Sequence, residues 1–235
     1  MFQIFAQRSY KLERLDTGDY TQEEYELWQK EMGRINRFLG DVRALRLSLM
    51  REVEKENFSV LDVGAGSGEL LRVIENWARK NDKKAWLVGV EINENGARAI
   101  LNKKTKSVCG DALLLPFADA SFDYVICSLF AHHLTDEQFV QLLKEMNRVA
   151  RKKIYVIDLN RHPLAYYLYK IFSPLFLQSF TQEDGALSIL RSFRPEELKA
   201  LAVKAKLKNV EVERRAMFRL VLSCEKTEAK NANQS

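Results

Sequence analysis

The sequence predicts one α/β domain built on a mostly parallel sheet, and three observations carry that prediction. Apolar runs at 58–63, 86–91, 107–109, 122–128 and 154–159 alternate with helix-period segments at 69–80, 94–102 and 136–150. That order sets parallel strands side by side with right-handed crossovers. The first apolar run ends in glycines at 64, 66 and 68, a turn between a buried strand and a helix. Finally, 235 residues with 46% apolar content suit one such domain with roughly 80 residues of additions.

The elements follow in order. Residues 1–57 precede the alternating core and are expected to pack on it as a helical cap, because no Pro/Gly/Ser-rich linker separates them from it. Within them Thr21-Gln22-Glu23-Glu24 has the capping-box pattern. It opens a helix bearing Tyr25, Leu27, Trp28 and Met32 that continues or breaks near Gly33 and Gly40. The core domain spans 58–224. Near its end Pro195 suits a first helical position, and 209–214 and 217–224 have strand character about a turn at Arg214-Arg215-Ala216. Residues 161–194 form a helical insertion after a central strand, on the side where ligands bind. Aromatics and leucines cover nearly every side of a helix drawn through its first half, from His162 to Leu177. Such a helix is buried as extra core, covers an apolar substrate as a lid, or touches a membrane surface. The tail 225–235 has no apolar residue larger than Ala and is expected to be disordered.

The chemistry centres on Val60-Leu61-Asp62-Val63-Gly64-Ala65-Gly66-Ser67-Gly68-Glu69. Glycines leave room for a ligand against the turn, and the helix start offers free N–H groups. A nucleotide-like cofactor is the expected occupant. The spacing is Gly-x-Gly-x-Gly with Glu69 following, not the Gly-x-Gly-x-x-Gly of a dinucleotide site, and a carboxylate there would repel a pyrophosphate. No Gly-Lys-Ser/Thr follows either, which removes the phosphate-loop reading. The second strand ends at Glu91, where a carboxylate can accept hydrogen bonds from both hydroxyls of a ribose. A third unit runs Val108-Cys109-Gly110-Asp111-Ala112, and a fourth strand leads into Ser128-Leu129-Phe130-Ala131-His132-His133.

This succession resembles the class I S-adenosylmethionine-dependent methyltransferases, in their small-molecule branch of quinone- and polyketide-type enzymes. The likeness is close over about 58–160. It implies a Rossmann-like, seven-stranded sheet that is mostly parallel with an antiparallel C-terminal strand. It implies S-adenosylmethionine as cofactor, with Gly64, Ala65, Gly66, Ser67 and Gly68 beside its methionine part and Asp62 holding the turn and the amino-acid end. Glu91 would grip the ribose and Asp111 the adenine amino group, with Ile92 and Ala112 near the ring. Ser128 and Leu129 would line the floor under the sulfonium. Each residue also has a plain structural role open to it: Asp62 as a turn acceptor, Glu91 as an exposed strand end, Asp111 as a cap.

Methyl transfer is an in-line displacement that gains from alignment and, for a phenol or enol, from removal of its proton. His133, ahead of His132, is the candidate base, since imidazole titrates near neutrality; shaping the pocket or bonding to backbone is the alternative. The Asn/Asp-Pro-Pro-Tyr motif of amino-methylating enzymes is replaced by Cys127-Ser128-Leu129-Phe130, which disfavours a base amino group. Asp158 and Asn160 make too small a set for Mg²⁺, so no metal is expected.

The net charge of +5 falls in clusters (Arg79, Lys80, Lys83, Lys84; Lys103, Lys104, Lys106; Arg148, Arg151, Lys152, Lys153) after helix ends, opposite the ligand side. There cations complement the helix dipole as a solvated rim, and no nucleic-acid partner is expected. Cys109, Cys127 and Cys224 lie in apolar strand-like runs and read as buried thiols of a reducing compartment. With no signal sequence and no apolar span, the expected setting is cytoplasm, with contact to a membrane surface left open. The expected activity is methyl transfer to an apolar, aromatic or cyclic small molecule, O-methylation ahead of C-methylation. The alternatives are an RNA or protein methyltransferase, or a non-catalytic S-adenosylmethionine-binding protein. The acceptor's identity and the oligomeric state stay open.

Overall fold

In the computed structural model, which describes residues 3–38, 40–101 and 105–226, seven strands form one sheet. They are β1 (Asn57–Val63), β2 (Lys84–Glu91), β3 (Thr105–Cys109), β4 (Phe122–Ser128), β5 (Ala150–Leu159), β6 (Val210–Arg215) and β7 (Arg219–Glu225). Their spatial order is β3-β2-β1-β4-β5-β7-β6. β1 to β5 pair in parallel, and β7 runs antiparallel to both β5 and β6. The order turns back between β1 and β4, which stay paired to Val63 and Cys127, so the loops leaving their carboxyl ends run to opposite sides of the sheet, the place where open α/β sheets take ligands.

The central strands are apolar on both sides because both sides are covered. One face carries Leu61, Val63, Val125, Val156 and Leu222 under α7 (Asp136–Val149) and α10 (Pro195–Lys204). The opposite face carries Val60, Ile126, Tyr155, Ile157 and Val221. It is closed by α3 (Asp41–Leu47), α4 (Leu49–Glu52), α5 (Glu69–Lys80) and α6 (Glu94–Ile100). The N-terminal region therefore supplies part of one helical layer. Ahead of it stand α1 (Arg14–Thr17) and α2 (Gln22–Phe38). The capping box opening α2 is formed: Glu24 N–H donates to Thr21 Oγ1 (3.2 Å) and Thr21 N–H to Glu24 Oε2 (2.8 Å). α2 runs through Gly33, and the chain breaks before α3 at Gly40, whose φ is +105°.

The insertion holds two helices, α8 (Pro163–Phe172) and α9 (Ser179–Arg191). Tyr166 and Tyr167 of α8 meet Phe5 edge to face, and the Tyr169 hydroxyl donates to Thr181 O at 2.6 Å. Leu164, Leu168, Ile171 and Phe172 stay exposed on the other side. α8 is thus neither wholly buried nor wholly free.

Several expectations need correction. Cys109 is exposed while Cys127 and Cys224 are buried, because Cys109 ends an edge strand. Arg148 is not a solvated rim charge: its guanidinium donates to Leu115 O and Phe117 O and pairs with Glu145, closing the loop before β4. Lys153 is likewise nearly buried against Glu52. Lys103, Lys104 and the tail from 227 onward lie outside the described residues. Among the described residues no helix is long and apolar enough to cross a membrane.

Candidate active site

At the tip of β1 the chain turns through Gly64 (φ +70°), Gly66 (φ +54°) and Gly68 (φ +75°), a backbone that side chains strain by about 1–2 kcal/mol per residue. The three glycines answer to different neighbours. A Cβ on Gly64 would lie 2.6 Å from the Phe130 ring, and one on Gly68 would sit 3.2 Å from Ile100. Only at Gly66 is the space open. Gly64 therefore makes room for protein and not, as its spacing alone implies, for a ligand. Ser67 is exposed, and its carbonyl accepts from Arg72 at 2.6 Å.

Glu91 closes over this bend. Its Oε2 accepts from Gly66 N–H (2.9 Å) and its Oε1 from Asn93 N–H (3.1 Å). Each oxygen keeps a further lone pair for a hydroxyl. Asp62 lies one strand over and is 3% exposed. Burial, with the Glu91 charge adding to it, pushes its carboxyl up to about 8. Asp111 is exposed, and its Oδ1 accepts from Leu113 N–H at 2.8 Å, so it does serve the turn and retains its second oxygen. Ala112 is buried and Ile92 exposed.

The carboxyl end of β4 is a separate, charged cluster. Leu129 takes a left-handed backbone (φ +50°) and its N–H donates to Ile157 O at 3.0 Å. This places Ser128 half-buried at the strand end and Phe130 over Gly64. His132 is buried, and its Nδ1 lies 2.7 Å from Asp158 Oδ1 at the end of β5. Burial alone would raise Asp158, but the His132 ring and two backbone N–H bonds outweigh it and hold the carboxyl below its usual range. The His133 ring lies tilted by 36° against His132, centroids 4.3 Å apart, and its Nδ1 is 2.9 Å from Asp16 Oδ1. Burial opposes ionisation of Asp16 too, yet the His133 bond and Arg191 bring it well below the usual carboxylate range. Glu13 stands beside both rings, raised to about 7 by burial.

The N-terminal segment and α9 build this cluster together. Arg8 donates to His132 O (3.3 Å), Leu134 O (3.0 Å) and Arg191 O (2.8 Å) and pairs with Asp136. Arg191 donates to His133 O (2.8 Å) and Lys11 O (3.0 Å) and pairs with Asp16. Asp184 accepts from the N–H groups of Arg14 and Leu15 at 2.9 and 3.0 Å. Sequence reasoning missed Glu13, Asp16, Arg191 and Phe130 as neighbours of the histidines. Only Asp158, at the carboxyl end of a central strand, had a positional signal.

The methyltransferase domain family matches residues 61–157. Demethylmenaquinone methyltransferase of Staphylococcus carnosus is 30% identical over 187 residues, covering 71% of this chain and 75% of that protein. The chain belongs to the class I S-adenosylmethionine-dependent methyltransferases. Another relative named demethylmenaquinone methyltransferase, from Roseiflexus, is 31% identical over 161 residues, covering 62% of this chain and 65% of its own length. Among solved structures, plantazolicin methyltransferase in complex with a monoazolic analogue and SAH superposes with a TM-score of 0.66. It is 16% identical, and the match covers 91% of this chain and 92% of that one. At that identity it speaks for the fold, a seven-stranded methyltransferase sheet. S-adenosylmethionine is the cofactor of this methyltransferase, and the residues present fit it. An open cradle at Gly66, a carboxylate with spare lone pairs above it and a buried acid beside it suit a nucleoside bearing a cationic amino-acid arm.

Proposed function

We propose that the chain transfers the methyl group of S-adenosylmethionine to an apolar, quinone-type cyclic small molecule in its reduced, hydroxylated form, with O-methylation ahead of C-methylation. When bound, the cofactor supplies an electrophilic methyl on a sulfonium. Gly66 and Glu91 position it: the bend accepts the amino-acid arm, Glu91 takes the ribose hydroxyls and Asp111 the adenine amino group, with Ile92 and Ala112 against the ring. Asp62 offers a buried carboxyl to the ammonium group. Ser128 and Leu129 form the floor toward the acceptor.

The observation that carries the acceptor reading is the pair of carboxylate-anchored histidines just past β4, His132 buried and His133 half-buried, packed between the N-terminal segment and α9. His133 and His132 are proposed to engage the acceptor's hydroxyl and activate its oxygen. Loss of that proton raises the nucleophilicity of a phenol oxygen and also of the ring carbon beside it, so one device serves either attack. Anchoring by Asp158 and Asp16 fixes the rings before the acceptor arrives, and alignment of this kind can supply a large share of a rate. The tyrosine-rich side of α8 and the relatives' printed quinone acceptors both favour an apolar ring.

The test is a panel of reduced naphthoquinones, phenols, RNA and peptides incubated with the full chain and S-adenosylmethionine, with the demethylated cofactor product measured. Turnover confined to the hydroxylated rings, lowered at least 100-fold by His132→Ala, is expected. Turnover on RNA or peptides with none on the rings would overturn the reading.

A further inference from the structure

The sequence holds too few neighbouring carboxylates to suggest a metal, but the fold brings in one from the N-terminal segment. Glu13, His132 and His133 each offer a ligand atom, and the three atoms lie within 4.8 Å of one another. We propose that these residues form a binding site for a divalent transition-metal ion of the zinc or cobalt type, open on one side to the acceptor's oxygen. The proposal rests on the reading that the acceptor's hydroxyl meets the two histidines.

The donor set is the first argument. Two imidazoles and one carboxylate suit a borderline cation such as Zn²⁺ or Co²⁺, and three protein ligands with an open position are the pattern of reactive sites, whereas closed four-ligand sets are structural. The surroundings are the second. Each histidine already commits its Nδ1 to a carboxylate, His132 to Asp158 at 2.7 Å and His133 to Asp16 at 2.9 Å. Such a carboxylate fixes the tautomer, makes the ring more basic and leaves the other ring nitrogen as the donor atom, the usual outer arrangement of a metal-bound histidine. On Glu13, Ser188 Oγ donates to Oε1 (2.9 Å) and Arg191 approaches that same oxygen at 3.8 Å, which holds the carboxylate in place beside the rings.

Charge and rigidity complete the case. Glu13, Asp16 and Asp158 gather around the two rings; Arg191 pairs with Glu13 and Asp16, and Arg8 lies behind His132, paired instead with Asp136. A bound dication would add a second counter-charge for these carboxylates beside the Arg191 guanidinium. The three ligands also sit on locked backbone: Arg8 and Arg191 hold the carbonyls of His132 and His133, and Asp184 holds the two N–H groups next to Glu13. A site held this way needs little reorganisation to bind. With an ion present, the acceptor's hydroxyl would bind through oxygen and release its proton to solvent, and the imidazoles would act as ligands instead of bases. No electrons change hands in that step.

The experiment uses the full chain after removal of metals with a chelator. Zn²⁺ is titrated by calorimetry, and Co²⁺ is followed by its visible absorption. One ion per chain is expected, with the intense bands of a four- or five-coordinate Co²⁺ centre. Glu13→Gln and His133→Asn should each weaken binding at least tenfold, and Asp16→Asn about tenfold through the ring it anchors. His162→Asn, outside the cluster, should change nothing. Affinity for S-adenosylmethionine, measured on every variant, should stay within twofold and so report an intact fold. A chain that binds S-adenosylmethionine but takes up neither ion stoichiometrically would overturn the proposal, as would Glu13→Gln and His133→Asn variants that bind as tightly as the parent. Ion binding without S-adenosylmethionine binding would strike the cofactor reading and support this one.

Discussion

Asp62 shows how one residue's surroundings set a measurable pH dependence. Burial and the nearby Glu91 charge push its carboxyl up to about 8, so it is largely neutral at pH 7. An acid whose folded pKa exceeds its unfolded value adds stability fully below the unfolded value, near 3.9, and loses it as pH rises toward the folded value. The difference in Tm between Asp62→Asn and the parent should therefore be small at pH 4 and grow in the variant's favour up to pH 8. A cationic ligand reverses the preference, because it favours the carboxylate. Affinity for S-adenosylmethionine should rise between pH 6.0 and 7.5, approaching tenfold per pH unit, with proton release visible as a buffer-dependent binding enthalpy. An affinity flat over that range would remove Asp62 from the ammonium's neighbourhood. At Glu91 both oxygens already hold backbone N–H groups. Glu91→Gln, which can accept through only one of them, should cost about tenfold in affinity, on the order of 1.4 kcal/mol.

Elements were legible where local chemistry and packing agree. The strands of the core are apolar on both sides and end in glycine or a polar residue, so their existence and order follow from the sequence. The capping box at Thr21 to Glu24 and the proline at the head of α10 mark helix starts that the structure keeps. The limits moved where flanking polar residues join a ladder: β2 begins at Lys84 and β5 at Ala150. What composition did not show is how α3 is fastened. Asp41 and Arg219 are both buried and paired at 2.6 Å, linking α3 to β7 across 178 residues. No periodicity announces such a pair. Removing one partner leaves a buried charge, so Asp41→Ala should lower unfolding free energy by roughly 3–5 kcal/mol in urea melts. A loss below about 1 kcal/mol would show that solvent reaches the site on α3's departure.

At the scale of the whole molecule, the crevice has two halves built by different parts of the chain. The half proposed to take the cofactor stands on β1, β2 and β3 and their turns, close together in sequence, so its candidate residues fall in order along motifs. The half proposed to take the acceptor joins the ends of β4 and β5 to residues 8–16, 117 positions away at the His133–Asp16 contact, and to α9, 58 positions away at the His133–Arg191 contact. Glu13 and Asp16 look like any surface turn until the fold sets them against His133. Phe130 shows the same limit from the other side, since a glycine's need for space does not say whether protein or ligand will fill it. This division predicts that the halves fail separately. Arg191→Met, which frees the carbonyls of His133 and Lys11 and leaves Asp16 without its guanidinium, should reduce turnover at least tenfold while binding of S-adenosylmethionine is unchanged. Equal losses in both would mean that α9 supports the cofactor turn as well.

The most direct measurement is calorimetric titration of S-adenosylmethionine into the parent chain and into Gly66→Val. The space at Gly66 is open in the protein, so the variant should fold with only the strain of its left-handed backbone, about 1–2 kcal/mol. Its side chain should fill the place of the cofactor's amino-acid arm. One site per parent chain and at least a hundredfold weaker binding in a folded variant are predicted. A folded Gly66→Val chain that binds as tightly as the parent would place the cofactor somewhere other than this bend.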